Sequence, residues 1–289
     1  MLCISQNNLH KKHMKKLASV LLFTCMLFTA TAQHQLVKLW ETDTTLKVPE
    51  SVFIDQKNNV LYVSNIDGQP WAKDGKGSIG KIGLDGKIIA VDWVTGLQAP
   101  KGMGMHKNHL YVADLNEVVV IDITKGTIVD RIVIDGAITL NDISVEENGT
   151  VYVSDSRGRK VYSIENNKAT VLLDTTQLKG PNGVLKHKGS LYVLDAGSMY
   201  RMEKNGSLTK LADGMEGGTD GIENITGSDF LVSTWGGVVY YVSENGAKEV
   251  LLDGRQQKIN SADIGYDRAK RIVYVPTFWR NTVVAYKLQ

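Results

Sequence analysis

Hydrophobic and polar residues alternate along residues 140–156, which read LNDISVEENGTVYVSDS. An alternation with a period of two predicts β-strands, here at 143–145 and 151–154. Between them lies Asn148-Gly149. This pair predicts a two-residue type I′ turn, because both residues tolerate the positive φ that such a turn requires. The segment is therefore predicted to form an antiparallel hairpin.

The second strand of this hairpin recurs along the chain. The six copies are LYVSN at 61, LYVAD at 110, VYVSD at 151, LYVLD at 191, FLVST at 230 and VYVPT at 273. The second residue of each copy, which is a tyrosine or Leu231, lies at 62, 111, 152, 192, 231 and 274, and the intervals between these positions are 49, 41, 40, 39 and 43 residues. A repeat of about 40 residues built only from strands is typical of a propeller with four strands per blade. The pattern predicts an all-β protein, a six-bladed β-propeller.

Turn dipeptides predict an outer hairpin in five of the six blades. They lie at 85–86, 125–126, 166–167, 205–206 and 245–246. The last repeat ends with TVVAYKL at 282–288 and lacks an outermost strand, whereas an unpartnered strand, QLVKLWE at 35–41, precedes the first repeat. We predict that this N-terminal strand pairs in the last blade and closes the ring, since closure removes an open sheet edge.

The N-terminal segment has the pattern of a secretory signal peptide. Two lysines at 15–16 precede an apolar run at 17–28, and Ala-Thr-Ala at 30–32 supplies a cleavage site before Gln33. The apolar run is too short to span a bilayer. The sequence predicts a signal peptide over 1–32, a propeller domain over 33–289, and a secreted or periplasmic protein. Met1 and Met14 are alternative starts of translation.

The charge and the cysteine content of residues 33–289, without the predicted signal peptide (the leader), exclude several classes of function. The remaining chain has 29 basic and 31 acidic side chains, a formal charge of −2, whereas the whole chain has +2. This balance does not predict a nucleic-acid partner. Both cysteines, Cys3 and Cys25, lie in the leader. The propeller is therefore predicted to have no disulfide, no thiolate nucleophile and no soft metal site.

The predicted innermost strand of each blade opens with a short motif. The motifs are PESV at 49, PKGM at 100, LNDI at 140, PNGV at 181, TDGI at 219 and SADI at 261. Propeller pseudo-symmetry places equivalent positions around the central channel, so Glu50, Asn141, Asn182 and Asp220 are predicted to converge there. Two carboxylates and two carboxamides suit Ca²⁺ or another divalent cation that prefers oxygen ligands. Alternatively, the Asn-Gly and Asp-Gly pairs are ordinary turn dipeptides.

Other residues of the same face are candidates for substrate contacts. Lys101 occupies the equivalent position in blade 2 and is predicted to face the channel. Trp71, Trp235 and Trp279 lie on loops that follow the second strand of a blade, and these loops are predicted to lie on the same face as the four motif residues. Alternatively, each tryptophan only packs at the rim and contacts no substrate. Asp142 and Asp263 fall one position beyond the predicted ligands, and are either a second layer around the metal or water-facing residues.

Two motifs that are typical of other enzyme classes do not predict those classes here. A literal G-x-G-x-x-G at 75–80 begins at the end of an insertion at 67–77, but a strand rather than a helix is predicted to follow it. A dinucleotide site requires a helix there, so a flexible glycine-rich loop is the favoured interpretation. No G-x-S-x-G motif occurs in the chain, which argues against a serine hydrolase.

The motifs and the six-fold repeat resemble the family of senescence marker protein (regucalcin), gluconolactonase and diisopropyl fluorophosphatase. The resemblance implies a catalytic Ca²⁺ in the central channel, held by Glu50, Asn141, Asn182 and Asp220. It also implies hydrolysis of a lactone or related ester, in which the metal polarises a carbonyl and acidifies a bound water. Asp220 would act as general base or as nucleophile. Blade 1 departs from the family's commoner Glu-Gly-Pro or Glu-Ser-Pro, because Pro49 precedes the glutamate and Ser51 follows it.

We therefore expect a secreted or periplasmic Ca²⁺-dependent hydrolase of lactone or ester type. Its substrate would be a small molecule such as a lactone, an ester or a sugar acid derivative. The protein itself is expected to have no membrane span. The alternative is a non-catalytic propeller of the NHL type that binds a protein or a glycan. A binding module has no reason to concentrate four oxygen ligands at one repeat position, and it would usually expose an apolar patch.

Overall fold

The computed structural model describes residues 34–289, and the predicted signal peptide lies outside this range. Each of the six blades is one four-stranded antiparallel sheet. Blade 1 contains Pro49–Asp55 (β2), Val60–Asn65 (β3), Gly77–Gly83 (β4) and Ile88–Leu97 (β5). Blade 2 contains Pro100–His106 (β6), His109–Asp114 (β7), Glu117–Asp122 (β8) and Thr127–Val133 (β9). Blade 3 contains Leu140–Val145 (β10), Val151–Asp155 (β11), Lys160–Glu165 (β12) and Lys168–Leu173 (β13).

The second half of the ring repeats this arrangement. Blade 4 contains Pro181–His187 (β14), Ser190–Asp195 (β15), Ser198–Met202 (β16) and Leu208–Ala212 (β17). Blade 5 contains Thr219–Thr226 (β18), Asp229–Thr234 (β19), Val238–Val242 (β20) and Lys248–Asp253 (β21). Blade 6 contains Gly265–Asp267 (β22), Ile272–Pro276 (β23), Val283–Leu288 (β24) and, from the N-terminus, Leu36–Glu41 (β1). Short 3₁₀ helices lie at Arg255–Gln257 and Phe278–Arg280.

The ring closes as predicted. In blade 6 the strand order is β1-β24-β23-β22, and β1 pairs antiparallel with β24, with Leu36 opposite Leu288. The first strand of the described chain is thus the outermost strand of the last blade. Within residues 34–289, closure ties the first strand to the last one, so the first and last blades of the ring meet. Among residues 34–289, no helix is long and apolar enough to cross a membrane.

One turn differs from its prediction. In the hairpin between β10 and β11, only Gly149 has a positive φ, of 92°. Glu146 N donates to Thr150 O (2.9 Å), so three residues rather than two lie inside the closing pair. A loop of three residues favours a type I turn followed by a left-handed glycine, and the predicted type I′ turn is therefore wrong.

The apolar core lies between blades. One cluster of buried side chains joins blades 2 and 3 and contains Val118, Val120, Ile143, Val153 and Tyr162. Alternate residues of each strand point to opposite faces of its sheet, so a middle strand packs against both neighbouring blades. Each such side chain contributes about 1.5–3 kcal/mol when it is fully buried. Packing of this kind holds the inner strands at fixed positions around the channel.

Candidate functional site

A cavity of about 240 Å³ lies at the end of the channel where the inner strands begin. We call it the upper cavity. Its lining includes the four predicted metal ligands, Lys101, and the two tryptophans of blades 1 and 5: Glu50, Asn141, Asn182, Asp220, Lys101, Trp71 and Trp235. The structure therefore brings together seven of the eight predicted site residues, which lie up to 185 positions apart in the sequence.

Trp279 does not line the upper cavity. Its side chain is 47% exposed, and it packs edge-on against Phe278, with ring centroids 4.8 Å apart. Phe278 lines the cavity instead. It has a positive φ of 51° at the start of the short 3₁₀ helix, and its side chain is buried. Phe278, rather than Trp279, thus forms part of the cavity wall.

An interruption of strand pairing turns the side chains of the predicted ligands toward the axis. In β10, Leu140 pairs with Asp155, but the next pair is Ile143 with Val153, so the register shifts around Asn141. The register also shifts next to the equivalent residue in blades 1, 2, 4 and 5. Such irregularities release a side chain from the regular in-and-out alternation of a strand and turn it in a new direction.

Repeated aspartates hold the segment that leads into three of these inner strands. Asp155 accepts hydrogen bonds from Ile138 N (2.9 Å) and Thr139 N (2.8 Å), just before Asn141. Asp114 makes the same pair of bonds before Lys101, and Asp195 does so before Asn182. Sequence reasoning missed this role, although the final Asp of the repeated L-Y-V-x-D pattern was its signal. These aspartates are positioning residues for the upper cavity.

The two carboxamides use their nitrogens on protein partners. Asn182 Nδ2 donates to Asp220 Oδ1 (2.9 Å), and Asn141 Nδ2 donates to Ser156 Oγ (3.0 Å). Ser156 Oγ in turn donates to Pro181 O (2.7 Å), which fixes the direction of its lone pairs. Each amide oxygen is consequently available to the cavity. Ser156 was not among the predicted site residues, because nothing in its sequence context distinguishes it from other strand-end serines.

Two buried oxygens of the site have no hydrogen-bond partner within the described chain. They are Glu50 Oε2 and Asn182 Oδ1. A buried polar atom without a partner costs about 1–3 kcal/mol, so such atoms usually mark a place where something else binds. Both are acceptors, so a water or a hard cation would satisfy them. The residues present fit a site for Ca²⁺ in donor type and charge.

The carboxyl groups of the site respond strongly to burial. Burial raises the pKa of Glu50 and of Asp220 well above the ordinary values; neighbouring acids add to this, whereas the Lys101 ammonium opposes it. Within residues 34–289, no three His, Cys, Asp or Glu side chains are grouped to hold a metal. The carboxamide oxygens of Asn141 and Asn182 would therefore have to complete a coordination shell.

Lys101 ties the blade 1 insertion to the channel wall. Its side chain is almost fully buried, at 2% exposed, and its Nζ donates to Pro70 O (2.7 Å) and Ala99 O (3.2 Å). The ammonium also lies 4.5 Å from the centre of the Trp71 ring, in a cation–π contact. Burial lowers the pKa of Lys101 to about 8, although Glu50 and other nearby acids favour its charged form. Two of its three N–H groups are thus used on main-chain carbonyls.

Asp142 and Asp263 form a second layer, one residue further along the inner strands. Asp142 Oδ2 accepts from Val184 N of blade 4 (2.7 Å), and Asp263 Oδ2 accepts from Ser51 Oγ of blade 1 (2.5 Å). Each carboxylate therefore bonds across a blade boundary. Both also line a cavity of about 280 Å³ in the middle of the channel, which we call the middle cavity.

The glycine-rich motif at 75–80 has no nucleotide-binding context. Strand β4 begins within it, at Gly77, and no helix follows. Gly75 N donates to Gln98 Oε1 (2.9 Å), which fastens the end of the insertion to the loop before blade 2. The insertion at 67–77 forms part of the wall of the upper cavity, because it carries Pro70 and Trp71.

Comparison with known proteins supports the fold alone. No protein-family model matches the chain, and no curated protein matches its sequence. A provisionally named gluconolactonase has a similar structure, with a TM-score of 0.68 and 15% identity over 89% of this chain and 93% of that one. An inactive variant of virginiamycin B lyase from Staphylococcus aureus, solved with quinupristin, has a TM-score of 0.62 and 16% identity over 89% of this chain and 99% of that one. A chain of a nidogen/laminin complex has a TM-score of 0.60 and 17% identity over 73% of this chain and 82% of that one. Proteins with structures of this shape thus include a lyase, a provisionally named gluconolactonase and a component of a nidogen/laminin complex.

Proposed function

We propose that this protein is a hydrolase of lactone or ester type that depends on a divalent cation, with Ca²⁺ as the preferred ion. The observation that carries the proposal is the pair of unpartnered buried oxygens, Glu50 Oε2 and Asn182 Oδ1, in a cavity with Asp220 and Asn141. Two buried acceptors that no protein donor satisfies favour a cation. The structural likeness to a provisionally named gluconolactonase agrees with a small-molecule substrate.

The chemistry divides between the ion and the chain. When bound, the ion would polarise the substrate carbonyl and stabilise negative charge on its oxygen. Asp220 Oδ1 is occupied by Asn182, so its other carboxylate oxygen is the acceptor that would take a proton from an attacking water. The raised pKa of Asp220 suits a group that must hold this proton and release it. Glu50, Asp220 and the carboxamides of Asn141 and Asn182 would hold the ion.

The walls of the upper cavity would select and orient the substrate. Trp71 on one side and Trp235 on another present apolar faces, and Pro70 and Phe278 add to them. Such walls exclude water and favour a compact ring with one apolar face. Lys101 holds the Trp71 wall in place and has one N–H left for a substrate oxygen. A secreted or periplasmic location belongs to the same proposal and rests on the signal-peptide pattern.

A second function is favoured by a different observation. Trp235 and Trp279 are 43% and 47% exposed beside the mouth, and both pack against Phe278. An aromatic rim of this kind would also suit binding of a protein or glycan by a non-catalytic propeller. Such a propeller would use the rim, and it would not need the upper cavity for chemistry.

Calorimetric titration of the EDTA-treated protein with Ca²⁺ tests the proposal. We expect micromolar or tighter binding, lost in Asp220→Ala and Asn182→Ala. Asp213→Ala is the matched control, because Asp213 is an exposed acid paired only with Lys210. A wild-type protein that folds but binds no divalent cation would refute the metal-dependent hydrolase and leave the interaction propeller. Binding followed by a screen of lactones and aryl esters would identify the substrate.

A further inference from the structure

The channel holds three cavities in series. Along β14, Asn182 lines the upper cavity, residues 184–186 line the middle cavity, and residues 187–189 line a third cavity of about 620 Å³. We call the third one the lower cavity. It lies at the end of the channel opposite the predicted metal ligands, and it shares Val145 and Lys186 with the middle cavity. No feature of the proposed hydrolase uses it.

Cationic side chains without ion-pair partners face the lower cavity. Lys188 and Arg268 both line it, and neither forms a salt bridge within the described chain. Lys186 is neutralised, since it pairs with Glu146 (3.7 Å) and donates to Gly189 O (3.2 Å). Glu147, on the rim, is exposed and offsets one of the two free charges. The lining therefore retains a net positive charge.

Arg268 is held in a fixed direction. Its Nε and Nη2 donate to Asn224 O (3.3 and 3.1 Å), and Nη2 also donates to Asn224 Oδ1 (2.9 Å). These bonds leave Nη1 and its two N–H groups without a partner in the described residues. A guanidinium anchored on one side offers its other side to an oxyanion with little further loss of side-chain freedom.

The ring of His187 adds an unsatisfied atom. Its Nε2 is buried and has no hydrogen-bond partner among residues 34–289. Burial lowers the pKa of His187, and the charges of Arg268 and Lys188 lower it further. The same charges show that the ring sits in a positive field. A bound anion would accept from Nε2–H and relieve the repulsion among these groups.

We propose that the lower cavity binds a small anion with several oxygens, a phosphate or a carboxylate group, through Arg268, Lys188 and His187. The bound oxygens would accept from Arg268 Nη1 and His187 Nε2, with the Lys188 ammonium beside them. The site is separate from the upper cavity and does not depend on the hydrolase proposal. It would give this propeller a ligand at each end of its channel.

The test is a titration of the purified protein with inorganic phosphate and, separately, with malonate, at constant ionic strength set with chloride. The readout is the NMR shift of the His187 ring, assigned with His187→Gln. We expect saturable binding by at least one anion at about millimolar concentration or below. Stronger binding of phosphate would identify a phosphoryl ligand, and stronger binding of malonate would identify a carboxylate.

Variants separate a built site from general attraction. Arg268→Gln is expected to weaken binding about tenfold, and Lys188→Gln about threefold; Lys188 lies in an exposed turn, so its variant should fold normally. Arg159→Gln is the control, because it removes the same charge from an exposed turn near the other end of the channel. Equal weakening by Arg159→Gln, or the absence of a saturable His187 shift with either anion, would overturn the proposal.

Discussion

Two layers of buried acids lie one residue apart in the channel, and their hydrogen bonds differ. In the upper layer, Glu50 Oε2 has no partner and Asp220 is bonded by Asn182. In the middle layer, Asp142 and Asp263 accept bonds from the neighbouring blades, at Val184 N and Ser51 Oγ. The same side-chain chemistry thus supplies spare acceptors in one layer and connections between blades in the other.

The difference shows how to separate ligand sites from structural polar groups. Burial raises the pKa in both layers, so a perturbed pKa does not distinguish them. What distinguishes them is whether the folded chain itself satisfies the oxygens. A buried acceptor that stays unsatisfied is costly unless a ligand compensates it, whereas a satisfied one stabilises the fold. We therefore expect cation affinity to depend on the upper layer and stability on the middle layer.

The largest expected effect is on cation affinity in the upper layer. Asp220→Asn keeps the shape of the side chain but removes its charge and an oxygen ligand. We expect Ca²⁺ affinity to fall by about 100-fold or more, which corresponds to about 2.7 kcal/mol. Asp263→Asn, the matched change in the middle layer, should alter affinity by less than about threefold. Calorimetry measures both, and equal losses in the two variants would contradict the division of roles.

Stability should show the opposite dependence. Asp263→Ala leaves Ser51 Oγ without its acceptor across the boundary between blades 6 and 1. We expect the free energy of unfolding to fall by about 1–3 kcal/mol, while Ca²⁺ affinity changes little. Urea unfolding monitored by tryptophan fluorescence measures this, with Asp213→Ala as the surface control. An unchanged midpoint for Asp263→Ala would show that the contact between blades contributes nothing.

The pH dependence of stability tests the cost of the buried acids. Burial raises the pKa of Asp263 to about 7 and that of Glu223 to about 8. Between about pH 4 and these values the folded chain binds more protons than the unfolded chain, so stability falls as pH rises through this window. For the cation-free protein we expect a loss of about 1 kcal/mol or more between pH 5.5 and 7.5.

The cation should reduce this loss, because it compensates the ionised Glu50 and Asp220. Lys101 makes stability rise with pH, but only above about pH 8, because burial lowers its pKa to about 8 from 10.5. Urea titrations at both pH values, in EDTA and in Ca²⁺, measure the effect, and Glu223→Gln should flatten the slope in EDTA. Stability that rises with pH in EDTA would contradict the assignment of buried, proton-binding acids.

The smallest expected effect concerns the orientation of one ligand. Ser156→Ala removes the acceptor for Asn141 Nδ2, so the carboxamide can rotate away from the cavity. We expect Ca²⁺ affinity to fall about three- to tenfold with little change in unfolding free energy. Ser207→Ala, which loses one hydrogen bond in an exposed turn, is the control. Wild-type affinity in Ser156→Ala would show that Asn141 needs no such support.

The sequence by itself determined the number of blades, the closure of the ring and the inner-strand positions that line the upper cavity. These follow from the period of the strands and from the equivalence of repeat positions, which a ring of blades converts into proximity. Glu50, Asn141, Asn182 and Asp220 could be selected without any knowledge of their contacts. The turn at Asn148-Gly149 was mispredicted because the number of residues inside the closing pair is set by pairing between strands.

Only the tertiary structure decided which atoms of these residues are free. That Ser156 orients Asn141, that Phe278 rather than Trp279 lines the cavity, and that Asp263 bonds to Ser51 all depend on neighbours from distant parts of the chain. The lower cavity likewise joins Lys188 and Arg268, which are 80 positions apart in sequence. A repeat pattern specifies where a side chain lies along its strand, but hydrogen bonds between blades determine whether its polar atoms remain available to a ligand.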